Sequence, residues 1–373
     1  MTIRKILATL LALSMTLSLA ACSGNSTQTD TTAPSEQTEE SSSVSDESAS
    51  DETTAENTET ETPADETEAS EPAEKVDINL AALSGPTALG MLDLLEKNEN
   101  GEAANNYNVT IATAPDEVTG KIISGELDIA AVPTNVASTL YNKTEGQVQI
   151  AALNTMGVLY VLETGDTIQS VADLAGKTIY ATGQGSTPEY ALNLVLEKNG
   201  LTPGEDVEIV FAADNAEIAP LLASGEAQVA LLPQPFVTSV LTQNENVRVA
   251  LDLTEEWDKA VNGESGLTMG CVVVRKEFAE QNKEALDRFL DEYKQSVETV
   301  TSEEGLAHAA ELAEHYNIIK AAVAEKAIPE CNIVFVEGDE MQQIAGGFLQ
   351  VLYDANPQAV GGQLPNDDFY YKR

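Results

Sequence analysis

Basic residues are scarce in this chain: 19 Lys or Arg against 62 Asp or Glu in 373 residues, a net charge of −43. From Lys75 onward there are 17 bases against 46 acids, a net −29. A surface of that sign repels phosphate backbones and anionic lipid, so nucleic acid is excluded as a partner. Histidine is almost missing. His308 and His315 lie seven apart on one helical pattern, and two ligands alone make a poor metal site; no metal and no cofactor is expected. Neither a Cys-His motif nor a nucleophile elbow occurs. Gly183-Gln184-Gly185 lacks the third glycine of a dinucleotide fingerprint, and the lysine of a phosphate loop is absent. Besides Cys22 there are only Cys271 and Cys331, and nothing in the sequence sets their distance or pairing.

What the chain does have begins with Arg4 and Lys5 followed by an apolar run from Ile6 to Ala21, the shape of a secretory signal and too short for a membrane span. It ends in Leu19-Ala20-Ala21-Cys22, which resembles a bacterial lipobox and implies cleavage before Cys22 and lipidation of that cysteine. The tract to residue 74 is Ser, Thr, Glu, Asp and Ala and little else, without a base or an aromatic. Such a tract cannot bury enough apolar surface to offset chain entropy, and its charges keep it extended. It reads as a disordered tether, residues 22–75, holding a folded domain off a membrane. The remaining length is ample for two lobes, each with its own core.

Those lobes are written as a repeat. Glu117 to Asn135 and Glu217 to Pro235 share Glu, Ser-Gly-Glu, Ala and Pro in register one hundred residues apart. Upstream, Gly85, Thr87, Leu92 and Leu94 match Gly185, Thr187, Leu192 and Leu194. Each copy alternates apolar runs of four to six residues with helical segments, the pattern of parallel α/β layers. Strands are expected at 76–83, 109–113, 127–132, 148–153 and 157–163 in the first copy. In the second they are expected at 177–181, 207–211, 229–232 and 247–251. Helices are expected at 86–95, 278–300, 303–315, 318–325 and 340–353, with coil from Asn356. The strand at 268–275 has no place in the repeat and is assigned to the first lobe. The expected divisions are 1–21, 22–75, 76–165 (first lobe), 166–264 (second lobe) and 265–373 (return to the first).

In open α/β sheets ligands bind beyond the carboxyl ends of the strands. Five turns fall there: Ser84-Gly85-Pro86-Thr87, Pro133-Thr134-Asn135, Asn154-Thr155-Met156, Gln184-Gly185-Ser186-Thr187 and Pro233-Gln234-Pro235-Phe236. They offer hydroxyls, amides, helix N-termini and one aromatic, and none holds Lys, Arg, Asp or Glu. That suits reversible hydrogen bonding to a small molecule, with orphan N–H groups favouring an anion or an acceptor. The candidate ligand contacts are Ser84, Gly85, Thr87, Thr134, Asn135, Asn154, Thr155, Gln184, Ser186, Thr187, Gln234 and Phe236.

Taken together, the lipobox, the acidic tether, the paired Ser-Gly-Glu units and Asp173-Leu174-Ala175-Gly176-Lys177-Thr178-Ile179 resemble ABC-transporter substrate-binding lipoproteins. The likeness is greatest to the nitrate/sulfonate/taurine and thiamine-precursor group, and it includes the C-terminal Leu364-Pro-Asn-Asp-Asp-Phe-Tyr-Tyr371. The resemblance implies a two-lobed, type II periplasmic-binding-protein-like α/β fold with two crossings, near Thr164 and Gly266, and a ligand cleft between the lobes. It further implies a monomeric, lipid-anchored extracytoplasmic receptor that closes like a hinge on a small solute and delivers it to membrane permease subunits. Tyr160, Tyr190 and Phe236 are the candidates for aromatic stacking. Two other readings stay open: a surface sensor or adhesin on the same fold, and an enzyme making the thiamine pyrimidine. The second would need active-site His and Lys, which the turns lack.

Overall fold

The repeated segments fold as two β-sheets flanked by helices. The structure, a computed structural model, describes residues 74–113 and 115–373. The expected signal peptide, Cys22 and nearly all of the tether lie outside the described residues.

The first copy comprises β1 (Asp77–Leu83), α1 (Pro86–Leu89), α2 (Leu92–Glu99), β2 (Asn106–Ala112), α3 (Pro115–Ser124), β3 (Ile129–Pro133), α4 (Thr134–Lys143) and β4 (Val148–Met156). After β5 (Leu159–Thr164) the second copy repeats the order. It runs β6 (Thr178–Ala181), α5 (Thr187–Lys198), β7 (Glu208–Phe211), α6 (Asn215–Ser224), β8 (Val229–Pro233), α7 (Phe236–Gln243) and β9 (Val247–Asp252). The chain goes on through α8 (Leu253–Ala260), β10 (Thr268–Arg275), α9 (Lys276–Gln281), α10 (Lys283–Thr301), α11 (Leu306–His315), α12 (Ala321–Ala327), β11 (Ile333–Val336) and α13 (Gly338–Ala355). Among the described residues no helix is long and apolar enough to cross a membrane.

Each Ser-Gly-Glu ends a helix for a backbone reason. Gly125 and Gly225 have φ near 80°, at 81° and 78°, the left-handed conformation that a Cβ penalises. The reversal lets Glu126 N–H reach Lys121 O (2.9 Å) and Ala227 N–H reach Leu221 O (3.0 Å), and aims the chain straight into β3 or β8.

The strand orders are β2-β1-β3-β10-β4-β11 and β7-β6-β8-β5-β9. In both sheets three parallel strands come first, then one antiparallel strand, then the last strand of the copy. The antiparallel member comes from the opposite side of a crossing: β10 lies between β3 and β4, and β5 between β8 and β9. This corrects the expected crossing near Thr164 and the division at 165/166. β5 pairs Leu159 with Pro233 and Glu163 with Val229, so residues 159–164 belong to the second sheet. The crossing falls at Gly157-Val158 instead. β4 continues through the expected turn at Asn154-Thr155-Met156, because Thr155 pairs with both Gly270 and Ile333, and Met156 with Thr268. A Cβ on Gly157 would lie 2.2 Å from Thr254 Oγ1 at the start of α8. Any larger residue at that crossing would have to displace the Thr254 side chain.

Other differences are local. The expected helix 86–95 breaks at Gly90, where a Cβ would press on Ile333 and Tyr293. The expected 278–300 helix breaks at Asn282 between α9 and α10, while α8 and β11 are additional elements. The expected C-terminal coil carries short 3₁₀ turns at Pro357–Val360 and Asp367–Phe369 and packs on α4.

A continuous buried cluster joins the sheets, from Val132 and Leu153 in the first to Ile179 and Leu231 in the second. At its seam Trp257 of α8 packs on Phe348 of α13, ring centroids 5.5 Å apart, and both are fully buried. The Trp257 indole N–H donates to Ser265 O at 2.9 Å, so burial of the ring leaves no polar atom unpaired. Cys271 and Cys331 are free thiols in the core, and burial raises the pKa of both.

Candidate solute-binding cleft

A cavity of about 570 Å³ lies between the two sheets, beyond the carboxyl ends of β1, β3, β6, β7 and β8. Size and position suit a small organic molecule. Its two walls are built differently.

The second lobe contributes two turns. Thr182 to Ser186 links β6 to α5, and Ala212 to Asn215 links β7 to α6. Gly183, with φ 77°, turns the first loop back so that Ser186 Oγ donates to Gly183 O (2.8 Å). Pro188 stands early in α5, where a missing N–H costs nothing. Thr182 Oγ1 donates to Asn215 Oδ1 at 2.7 Å and ties the turns together. Asp214 caps α6 by accepting from Glu217 N–H at 3.1 Å, so its carboxylate is engaged with the helix dipole. The starts of α5 and α6 thus meet at this wall.

The first lobe contributes helix flanks. Asp116, Thr119 and Ile123 line the cavity from α3, at spacings of three and four. Val136, Thr139, Leu140 and Lys143 do so from α4, at three, one and three. Those spacings each describe one helical stripe. Leu83, Pro133 and Met269 complete an apolar floor, with the Ser84 hydroxyl at its edge. Ile123 is 52% exposed, a large apolar side chain left open beside the cavity. Lys143 is the one basic residue among the described lining residues.

Of the expected contacts, the structure brings Ser84, Gln184 and Ser186 to the cavity wall. The others do not line it. Gly85 is buried behind Ser84, and Thr87 Oγ1 donates to Leu83 O at 2.6 Å. Thr134, at the start of α4, meets Thr268, at the start of β10, hydroxyl to hydroxyl at 3.1 Å. Asn154 and Thr155 are held inside the β4 ladder and bond to each other (3.1 Å), fully buried beside Gly270. Asn135 and Thr187 bond to one another across the lobes. Gln234 accepts from Thr238 at the start of α7, and Phe236 packs on the core around Leu232 and Val240. Tyr160 and Tyr190 likewise pack on core clusters. The α3 and α4 stripes were not foreseen. Their periodicity is plain in the sequence, but an amphipathic stripe does not say whether it faces a core or a cleft. The described residues hold no cluster of metal-ligating side chains.

Two α/β lobes with exchanged antiparallel strands around a polar-walled cleft define a two-lobed, periplasmic-binding-protein-like solute-binding fold. The family model described as ABC transporter, phosphonate, periplasmic substrate-binding protein matches residues 93–325, and the chain belongs to that family. It is a family of transport substrate-binding proteins rather than enzymes. An ABC transporter structure from Parabacteroides distasonis is 25% identical, with a TM-score of 0.66 over 79% of this chain and 99% of that one. The periplasmic aliphatic sulphonate binding protein SsuA from Escherichia coli is 15% identical, with a TM-score of 0.61 over 79% of this chain and 92% of that one. The alkanesulfonate-binding protein SsuA from Xanthomonas axonopodis pv. citri, bound to MOPS, is 16% identical, with a TM-score of 0.59 over 79% and 96%. At those last two identities the likeness is one of fold. No curated protein sequence matches the chain significantly.

Proposed function

We propose that the protein is a lipid-anchored extracytoplasmic receptor of an ABC importer that captures a small organic anion with a phosphonate- or sulfonate-like head. The observation that carries this reading is the cavity's asymmetry within a phosphonate-binding family. Helix starts, hydroxyls and the capping Asp214 form one wall; the other mixes apolar side chains and threonines with one carboxylate, Asp116, and one lysine, Lys143. An oxyanion head suits the start of α5, where no side chain caps the orphan N–H groups, while at the start of α6 the Asp214 carboxylate already takes the Glu217 N–H. A short organic tail suits Leu83, Val136, Leu140 and Met269. Ser84, Gln184 and Ser186 supply hydrogen bonds that fix orientation.

Capture then proceeds by approach of the lobes. Solute held on one wall gains the contacts of the other only in the closed form, and it shifts the equilibrium by that preference alone. The permease would read the closed form. Cys22 anchors the chain by its lipid, and the acidic tract gives the domain reach from the membrane. The described residues lining the cavity include one lysine, Lys143, and no histidine, so the His–Lys pair that the thiamine-pyrimidine chemistry would need is incomplete there and reversible binding is favoured.

Thermal unfolding of the protein against phosphonates, sulfonates, nitrate, thiamine precursors and amino acids tests the proposal. A ligand at 100 times its dissociation constant adds about 2.7 kcal/mol, a rise in midpoint of several degrees. A rise confined to phosphonates or sulfonates is the expected result. A rise only with cationic or neutral solutes overturns the anion assignment.

A further inference from the structure

Asn135 is fully buried, 1% exposed, at the second position of α4 in the first lobe. Its carboxamide makes three hydrogen bonds to two other parts of the chain. Nδ2 donates to Ala359 O in the C-terminal segment at 3.1 Å and, longer, to Gly185 O at 3.5 Å in the cavity-lining turn. Oδ1 accepts from Thr187 Oγ1 at 3.1 Å, at the first residue of α5 in the second lobe. Two carbonyls face one end of the amide and a hydroxyl faces the other, which uses both its donor and its acceptor character. Thr187 is wholly buried as well. Behind Asn135 the same helix is stitched to the C-terminal segment. Ser138 Oγ donates to Val360 O (2.9 Å), and Asn142 Nδ2 donates to Val360 O (2.9 Å) and Gln363 O (2.7 Å). A Cβ on Gly361 would come within 3.0 Å of the Thr139 backbone, so the segment lies directly against α4.

We propose that Asn135 is a positioning residue: with Thr187 and Ala359 it forms a buried clasp that fixes the solute-contacting turn of the second lobe to α4 and so sets the resting separation of the lobes. The next residue on α4, Val136, lines the cavity, as do Gly185 and Ser186 just before Thr187. The clasp is therefore the point where the two walls are joined by side-chain hydrogen bonds. Because it is closed to water, losing one partner strands the others, and the lobes move to restore their solvation. That solute binding exploits this separation rests on the receptor reading above.

The test measures the separation directly, without solute. Spin labels on Lys121→Cys in α3 and Ala216→Cys in α6 report the distance across the cleft by pulsed electron resonance. The full chain carries Cys22→Ser, and Cys271 and Cys331 are buried away from the reagent. Thr187→Val keeps the side chain's shape and removes only its hydroxyl; Asn135→Ala removes the amide. Each should move the distance distribution outward and broaden it, the double variant should add little, and Thr187→Ser should restore the wild-type distribution. Distributions unchanged in both single variants overturn the clasp. If they shift, yet no solute narrows them in any variant, the clasp stands and the receptor reading fails.

Discussion

The first lobe meets the cleft with the flanks of α3 and α4, whereas the second meets it with the turns before α5 and α6. Both lobes share the same strand plan, and both lock the end of the sheet farthest from the cleft with an acid–arginine pair. In the first sheet Asp128 meets Arg275 at 2.7 Å, and Asp128 also accepts from Asn79 N–H. In the second, Glu163 meets Arg248 at 2.9 Å and accepts from the backbone N–H groups of Thr167 and Ile168. Repetition thus extends to the scaffold and stops at the ligand wall. A duplicated frame fixes where strands end, and what stands there is free to differ. One wall became donor-rich backbone, the other a helical surface carrying Ile123 and Lys143.

The sharpest way to break this comparison is at the seam that makes two lobes one domain. Trp257 and Phe348 fill it, and neither has a counterpart in the repeat. Trp257→Ala should cost about 3–5 kcal/mol, as large-to-small changes at fully buried aromatics do, and denaturant unfolding should show a lowered midpoint. Trp257→Phe, which keeps most of the contact with Phe348, should lose less than half as much. A cost below about 1 kcal/mol for the alanine variant would mean that the lobes are held together elsewhere, with the Asn135 clasp the next place to look.

The frame was legible because it is written in periods that local physics enforces. The apolar alternation, the Ser-Gly-Glu stops and the one-hundred-residue echo each reflect backbone requirements, such as the left-handed glycines at 125 and 225. The strand at 268–275 stood out as foreign to the repeat, and the structure pairs it with β3 and β4. What misled was the polar tripeptide Asn154-Thr155-Met156. It reads as a turn, but Thr155 is paired on both sides by strands more than a hundred residues away, a tertiary override that no local pattern reveals. That one misreading displaced the crossing from 157–158 to Thr164 and placed Asn154 and Thr155 at the ligand. Asn135 and Thr187 show a second limit. Their polarity serves the join between the lobes, and capping, lobe contact and ligand contact all call for the same residue types.

A smaller effect compares the two far-end locks. Burial raises the Glu163 carboxyl, but hydrogen bonds from Thr167, Ile168 and Arg248 outweigh it and hold the group below its usual value. A depressed carboxyl stabilises the fold above its unfolded pKa, about 4.3, and the contribution is lost as pH falls through the folded value. Glu163→Gln should therefore cost about 1–3 kcal/mol at pH 7, and the gap to wild type should narrow between pH 5 and pH 3. Urea melts at the two extremes decide it. An equal gap at both would assign the loss to packing instead of charge.

The smallest expected effect concerns the wall that sequence reasoning missed. Lys143 is exposed, and an exposed charge contributes about 0–1 kcal/mol to a partner at hydrogen-bonding distance, or up to about a fivefold change in affinity. Lys143→Ala should weaken binding of an anionic solute by two- to fivefold, leave the melting midpoint of the empty protein unchanged, and reduce the salt dependence of affinity. Lys143→Arg should retain both affinity and salt dependence. Titration calorimetry at low and high salt separates two versions of the cleft. If the alanine variant loses affinity only at low salt, the first lobe attracts the anion from a distance and the start of α5 in the second lobe holds it. If affinity and its salt dependence are untouched, charge recognition lies wholly in the second lobe, and the helical wall serves only the solute's apolar part.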